Sequence, residues 1–253
     1  LLLACCGALA FTACQGVLSD IYDTPDTAPA TVARGQLYID ASSWDNWYYI
    51  SLDSLQMLAE SNDSTRLDSA QTHFTAWPIP TTETDGTDSC GIYTYWFDIF
   101  GKGLSVNHYV SSKHTAPQPE PGEWDLAIHR DNVRTNGGAA LETSCTSMDE
   151  LPPTSASFAD STFTPDTWTE NQVWIDRKQM LQNLMGSQGI SINPVLSGWL
   201  TVNIPPIPPT FTLNSHVFIV RTRSGKYAAV QLHNYLSPTG TTCCLTINYR
   251  YPY

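Results

Sequence analysis

The feature that most constrains this chain is a two-residue apolar alternation, repeated along most of its length and interrupted by Gly, Pro and Asn. In Thr246-Ile247-Asn248-Tyr249-Arg250-Tyr251, the residues Ile247, Tyr249 and Tyr251 share one face. Side chains alternate across a strand, so this pattern fits a strand with one face buried, not a helix. Val217-Phe218-Ile219-Val220 reads as a strand buried on both faces. Ser224-Gly225 then turns the chain into Lys226-Tyr227-Ala228-Ala229-Val230-Gln231-Leu232, which completes a β-hairpin. Two more strands are expected at Trp47–Leu52 and Gly122–His129, and Asn136-Gly137-Gly138 marks a turn. The expected fold class is all-β, with antiparallel sheets.

Helix is expected to be scarce. Leu55–Ala59 suits a single turn. In Arg177–Gly186, the residues Met180, Leu181, Leu184 and Met185 share a helical face, and Gly186 can cap the end. Residues 61–121 are rich in Ser, Thr, Pro and Asp, with an aromatic patch at Tyr93–Phe97, and read as a long insertion or set of loops.

The chain opens with an uncharged, apolar run, Leu1 to Cys14. It is shorter than the roughly 20 apolar residues a membrane-spanning helix requires and suits the apolar core of a signal peptide that is incomplete at its start. It closes on Phe11-Thr12-Ala13-Cys14, small residues followed by Cys, which resembles a bacterial lipobox. In that reading residues 1–13 are removed, Cys14 is acylated, and residues 14–35 form a flexible tether. Asp20, Asp23, Pro25, Asp26 and Pro29 give that tether no means of building a core. A single domain is expected over 36–253.

The formal net charge is −12, which argues against nucleic acid and anionic lipid headgroups as partners. Cys90, Cys145, Cys243 and Cys244 follow no zinc spacing and read as buried thiols, or at most one bridge. Cys243 and Cys244 are adjacent and point to opposite faces if extended, which disfavours joining them.

No sequence signature of catalysis stands out. Gly-x-Ser-x-Gly elbows, His-Glu-x-x-His helices and phosphate-binding Gly loops are all missing, so no enzyme activity is expected. His129, in Trp124-Asp125-Leu126-Ala127-Ile128-His129-Arg130, reads as a hydrogen-bonded strand histidine. His216 and His233 read as structural or surface residues. The aromatic residues from Trp44 to Tyr49 suit a sheet core, or stacking on a sugar or porphyrin.

Three blocks resemble the HmuY-like haem-binding lipoproteins of Bacteroidetes. The first is Ile39-Asp40-Ala41-Ser42-Ser43-Trp44, continuing through Trp47-Tyr48-Tyr49. The second is Glu123-Trp124-Asp125-Leu126-Ala127-Ile128-His129-Arg130, followed by Thr135-Asn136-Gly137-Gly138. The third runs from Ser197-Gly198-Trp199-Leu200 through Pro208-Pro209-Thr210-Phe211 to Tyr249-Arg250-Tyr251-Pro252. The resemblance implies an all-β fold shaped like a right hand, with two finger-like extensions and little helix. It implies a haemophore-like lipoprotein, anchored through Cys14 in the outer membrane and exposed at the cell surface. Such a protein captures haem (iron protoporphyrin IX) and passes it to a TonB-dependent outer-membrane receptor.

In the members of that family that ligate iron through two Met, the first ligand lies shortly after an Asp. Here Asp176 precedes Met180 by four residues, which makes Met180 the candidate axial ligand and Met185 a weaker substitute. Ile207 and Ile204 occupy the two positions where the second ligand is expected, and Ile cannot coordinate iron. Three outcomes follow: Met185 or a loop His fills the sixth position, haem is five-coordinate, or haem ligation is lost and another ligand (a glycan, a different tetrapyrrole, a protein) is bound instead.

Overall fold

In the computed structural model, the described residues are 32–253 apart from 62, 95, 96, 99–102, 105–107 and 204–208. The leader 1–13, Cys14, nearly all of the tether, Ile204, Ile207 and two aromatics of the 93–97 patch therefore lie outside them. Among the described residues, no helix is long and apolar enough to cross a membrane.

The chain begins with β1 (Gln36–Asp40), β2 (Asn46–Ile50), α1 (Leu52–Glu60), α2 (Ser64–Thr72), β3 (Ala76–Pro78) and β4 (Asp88–Thr94). There follow β5 (Phe97–Asp98), β6 (Gly103–Leu104), β7 (Tyr109–Thr115), β8 (Leu126–His129), β9 (Asn132–Thr135) and β10 (Ala139–Glu142). The remainder comprises β11 (Thr164–Pro165), β12 (Thr167–Ile175), β13 (Leu184–Ile192), β14 (Leu200–Asn203), β15 (Thr210–Leu213), β16 (Phe218–Arg221), β17 (Tyr227–Leu236) and β18 (Thr242–Arg250).

Three antiparallel sheets carry the fold. The largest has the order β1-β18-β17-β16-β10-β11, the second β3-β2-β8-β9 and the third β12-β13-β4-β7. A separate hairpin, β14–β15, joins Leu200 to Leu213 and Asn203 to Thr210, and its tip lies outside the described residues.

The second sheet is the middle layer. All four residues of β8 are buried, because its two faces meet two different cores. Leu126 and Ile128 join Ile50 and Val133 in a core shared with Leu245 and Ile247 of the largest sheet. Ala127 faces the other way, with Trp47 of β2, into a core with Val173, Ile175 and Ile190 of the third sheet. The run at 217–220 obeys the same alternation: Phe218 and Val220 enter the first core, whereas Val217 and Ile219 pack beneath Leu151 and Phe163 on the opposite face.

Polar groups brace the layers. Trp47 Nε1 donates to Gln188 Oε1 at 2.8 Å, and Gln188 Nε2 donates to Gln118 Oε1 at 3.0 Å. Arg134 reaches from the middle layer to the carbonyl of Ser191 at 3.1 Å and pairs with Glu120 at 2.9 Å.

The local expectations for helix need correction at two places. The single turn expected near Leu55 is a full helix, α1, capped where Ser51 Oγ accepts from Ser54 N at 3.2 Å. Its first backbone amide, Leu52 N, donates to the carboxylate of Asp125 at 2.8 Å. The segment 61–121, expected as loops, holds α2 as well as β3, β4 and β7. Asp63 caps α2 on Arg66 N at 3.1 Å, a local signal of the usual kind.

The second correction concerns 177–186. Only Arg177–Gln182 is helical, as a 3₁₀ turn, and Leu184 onward is strand β13. Asp176 (φ 49°) and Asn183 (φ 58°) adopt the left-handed conformation at either end, which Asp and Asn tolerate better than most residues. Pairing of Leu184–Gln188 with β4 then takes the backbone bonds a helix would have used. Sheet pairing overrides the local helical period.

Candidate functional site

Where β1 ends, the chain leaves the largest sheet in a tight, self-bonded loop. Asp40 Oδ1 accepts from Ser42 N at 3.1 Å and from Ser42 Oγ at 2.6 Å. Ser43 Oγ accepts from Asp45 N at 3.2 Å and from Asn46 Nδ2 at 2.8 Å. These bonds leave Trp44 at the loop's apex.

Two cations hold Trp44. The guanidinium of Arg130 lies 3.9 Å from the ring centroid and that of Arg177 lies 5.1 Å from it. Arg130 also donates to the carbonyl of Ser42 at 2.8 Å. Such contacts are each worth about 0.5–2 kcal/mol, more as water is excluded. Arg130 belongs to the β8–β9 turn, and Arg177 opens the 3₁₀ turn that follows β12. Three segments remote in sequence therefore meet at one indole.

A cleft of about 590 Å³ opens beside them, lined by Asp40, Ser42, Ser43, Trp44, Asp45, Tyr48, Asp176, Arg177 and Lys178. Its volume lies within the range of small-molecule and cofactor sites. An adjoining pocket of about 460 Å³ shares Asp40 and Tyr48 with it and adds His73 and Phe74. Burial and, next, the Asp40 carboxylate push the Tyr48 phenol up from its ordinary value. The cleft thus offers a flat indole, hydroxyls, the two cations Arg177 and Lys178, and the carboxylates of Asp40, Asp45 and Asp176.

The candidate ligands fall in different settings. Met180 is partly exposed, on the same turn as Arg177 and Lys178. Met185 is 2% exposed in β13 opposite Tyr93, so the common helical face expected for the two does not exist. Met180 is not among the residues lining the cleft, although Arg177 and Lys178 of the same turn are, and the sealed Met185 fits packing.

His129 is fully buried, with Nδ1 at 3.0 Å from the carbonyl oxygen of Asn46 and Nε2 at 3.1 Å from that of Trp174. The neutral imidazole donates its single N–H to one of these two carbonyls, and the contacts belong to a strand histidine packed between layers. Among the described residues, no group of three or more His, Cys, Asp and Glu is placed to hold a metal ion by itself. His216 bonds Glu142 at the surface at 2.7 Å. Cys90, Cys145, Cys243 and Cys244 are all free thiols.

Sequence reasoning missed Arg177, whose only signal was its place beside Asp176, and Arg130, read merely as part of a motif. Trp44 carried a signal in its aromatic neighbourhood.

Comparison with known proteins bears on this arrangement. A family model described as HmuY protein matches residues 43–249. No curated protein matches the chain. Among solved structures, an HmuY-like protein of Bacteroides vulgatus, described as haem-binding, is 26% identical. The match covers 89% of this chain and 97% of that one at a TM-score of 0.59. A Bacteroides fragilis lipoprotein is 25% identical, covering 90% and 99% at the same TM-score of 0.59. The apo HmuY analogue of Tannerella forsythia shares the fold at 20% identity, covering 85% and 93% with a TM-score of 0.55. The expected class, antiparallel β with sparse helix, agrees with these structures.

Proposed function

The chain belongs to the HmuY protein family, and from that premise we propose that it is a cell-surface lipoprotein that captures haem in the Trp44 cleft. It is a binding protein and not an enzyme. The observation that carries the reading is the indole of Trp44, contacted by Arg130 and Arg177 and lining a cleft that the turn bearing Met180 also borders through Arg177 and Lys178. The haem-binding description of the Bacteroides vulgatus relative supports the choice of ligand.

Haem would supply a flat apolar macrocycle, two carboxylates and a redox-active iron. Trp44 provides a flat surface for the ring. Arg177 and Lys178 provide the charge-assisted partners that carboxylates prefer. Met180 would offer a soft, neutral sulfur to bound haem, a ligand type that favours the ferrous state more than imidazole does. An anchor at Cys14 would hold the module at the outer membrane, and a TonB-dependent receptor would accept its cargo.

The test is a spectroscopic titration of the protein with haemin, oxidised and then dithionite-reduced, following the Soret band. Saturable shifts are expected, with Met180→Ala weakening reduced-haem binding by tenfold or more. No shift in either state would overturn the reading. Equal binding by Met180→Ala and the parent would remove Met180 from the site.

A further inference from the structure

The third sheet, β12-β13-β4-β7, has a second surface that the haem reading leaves unused. Its inner face is filled by Cys90, Val173, Ile175, Ile190 and Ile192. Its outer face carries a groove of about 370 Å³, lined by Ser89, Gly91, Tyr93, Tyr109, Ser112, Glu170 and Gly189. None of these residues lines the Trp44 cleft.

Two glycines lay aromatic rings against this sheet. A Cβ on Gly189 would stand 2.8 Å from Cζ2 of Trp168 and 2.9 Å from Ser89 Oγ, and one on Gly91 would stand 2.5 Å from Cε2 of Tyr93. The rings of Trp168 and Tyr93 therefore rest on bare backbone. Tyr93 is nearly buried, with the rings of Trp174 and Tyr109 meeting it edge to face at 5.8 and 5.9 Å. Trp168 and Tyr109 stay open to water, at 58% and 61% exposure. Both are also oriented by polar contacts: Tyr109 Oη donates to Ser112 Oγ at 3.2 Å, and Trp168 Nε1 approaches Glu170 Oε1 at 3.4 Å.

Exposed rings that are anchored and interleaved with hydroxyls and one carboxylate match a particular ligand chemistry. A pyranose presents an apolar C–H face, which stacks on an aromatic ring, and a rim of hydroxyls, which bond to Ser and Glu. Glu170 and the net charge of −12 oppose sulfated or sialylated chains. We propose that this outer face is a second binding site, for a neutral glycan chain, with Trp168 and Tyr109 as stacking platforms and Glu170, Ser89 and Ser112 as hydrogen-bonding partners. A lipoprotein that also grips surface or host glycan would be held near its source of ligand.

The experiment is affinity electrophoresis of the protein through gels containing mannan, xyloglucan or hydroxyethylcellulose, with heparin as the anionic comparison. Retardation by at least one neutral polymer is expected. Trp168→Ala and Tyr109→Ala should each weaken it on the order of tenfold, and Trp168→Phe should restore part of it. Gly189→Ala, which displaces the Trp168 ring without removing it, should weaken binding too. Haemin titration of the exposed-site variant Trp168→Ala should match the parent, which separates this site from the cleft and verifies folding. Retardation by none of the three neutral polymers, by heparin alone, or equally in parent and both alanine variants would overturn the proposal.

Discussion

The guanidinium of Arg130 lies 3.9 Å from the ring centroid of Trp44, and this contact ties the buried middle layer to the mouth of the cleft. Arg130 holds a left-handed backbone conformation (φ 56°) in the tight turn between β8 and β9, an arrangement that disfavours most non-glycine residues by roughly 1–2 kcal/mol. The side chain offsets that cost through its ring contact and its bond to Ser42 O.

Replacing Arg130 by Ala is therefore expected to act twice. Stability should fall by about 1–2 kcal/mol, from the lost cation–π contact and carbonyl bond. Ligand affinity at the cleft should fall as well, because Trp44 loses its inner support. Urea unfolding and haemin titration of the same variant measure the two effects. Arg130→Gly, which relieves the backbone while removing the side chain, should be less destabilised than Arg130→Ala but bind equally poorly.

The bond from Trp47 Nε1 to Gln188 Oε1 crosses the second core, where Gln188 is 4% exposed. Gln188→Leu should cost about 1–3 kcal/mol, because the indole N–H is left buried without an acceptor. In a double-mutant cycle with Trp47→Phe, the two losses should couple favourably, since Phe no longer needs that acceptor. Strict additivity in equilibrium unfolding would show that the bond contributes nothing.

His129 predicts a pH dependence. Burial, the largest influence, pushes its imidazole below the ordinary value, partly countered by the carbonyls of Asn46 and Trp174. The unfolded chain then binds a proton that the folded chain refuses. The contribution is complete above about pH 6.5, the unfolded value, and is lost as pH falls below it towards the folded value, by up to about 1.4 kcal/mol per pH unit. Burial raises Asp125, Asp131 and Asp166, whose contributions run the opposite way, so the parent curve alone is not diagnostic. His129→Gln should remove the acid loss between pH 6.5 and 5.5. Urea midpoints for both proteins across that range, with an unchanged slope in the variant, would reject the assignment.

The thiols should divide by accessibility. Burial pushes Cys90, Cys243 and Cys244 up to about 11, which leaves them protonated and unreactive near neutrality. Cys145 is only partly buried. Of these four, iodoacetamide at pH 8 should label Cys145 first in the native protein, with the other three labelled only after denaturation. Peptide mass mapping reads the order directly.

Much of this molecule was legible before any coordinates. The alternation in 246–251 and the unbroken apolar run at 217–220 each predicted the correct strand type, since the period-two geometry of a strand is local. His129 also read correctly as a hydrogen-bonded strand histidine. The motif Trp124-Asp125-Leu126-Ala127-Ile128-His129-Arg130 was visible as a block, but not its purpose. Asp125 caps α1, Ala127 and Trp124 fill one core, Leu126 and Ile128 fill another, and Arg130 supports Trp44. Each role depends on a partner tens of residues away.

The sequence by itself determined the all-β class, the hairpin at 217–232 and the family, because side-chain alternation, turn residues and ordered motif blocks are properties of neighbouring residues. It misjudged 177–186, where a helical period of apolar residues was outweighed by hydrogen bonds to β4 that no local pattern records. Only the tertiary structure separated Met180, left at the cleft's turn, from Met185, sealed within the sheet. Only it brought Arg177 and Arg130 onto one indole, and laid Trp168 against Gly189 on a face turned to water. Those juxtapositions arise from strand order and layer packing, which join residues far apart along the chain.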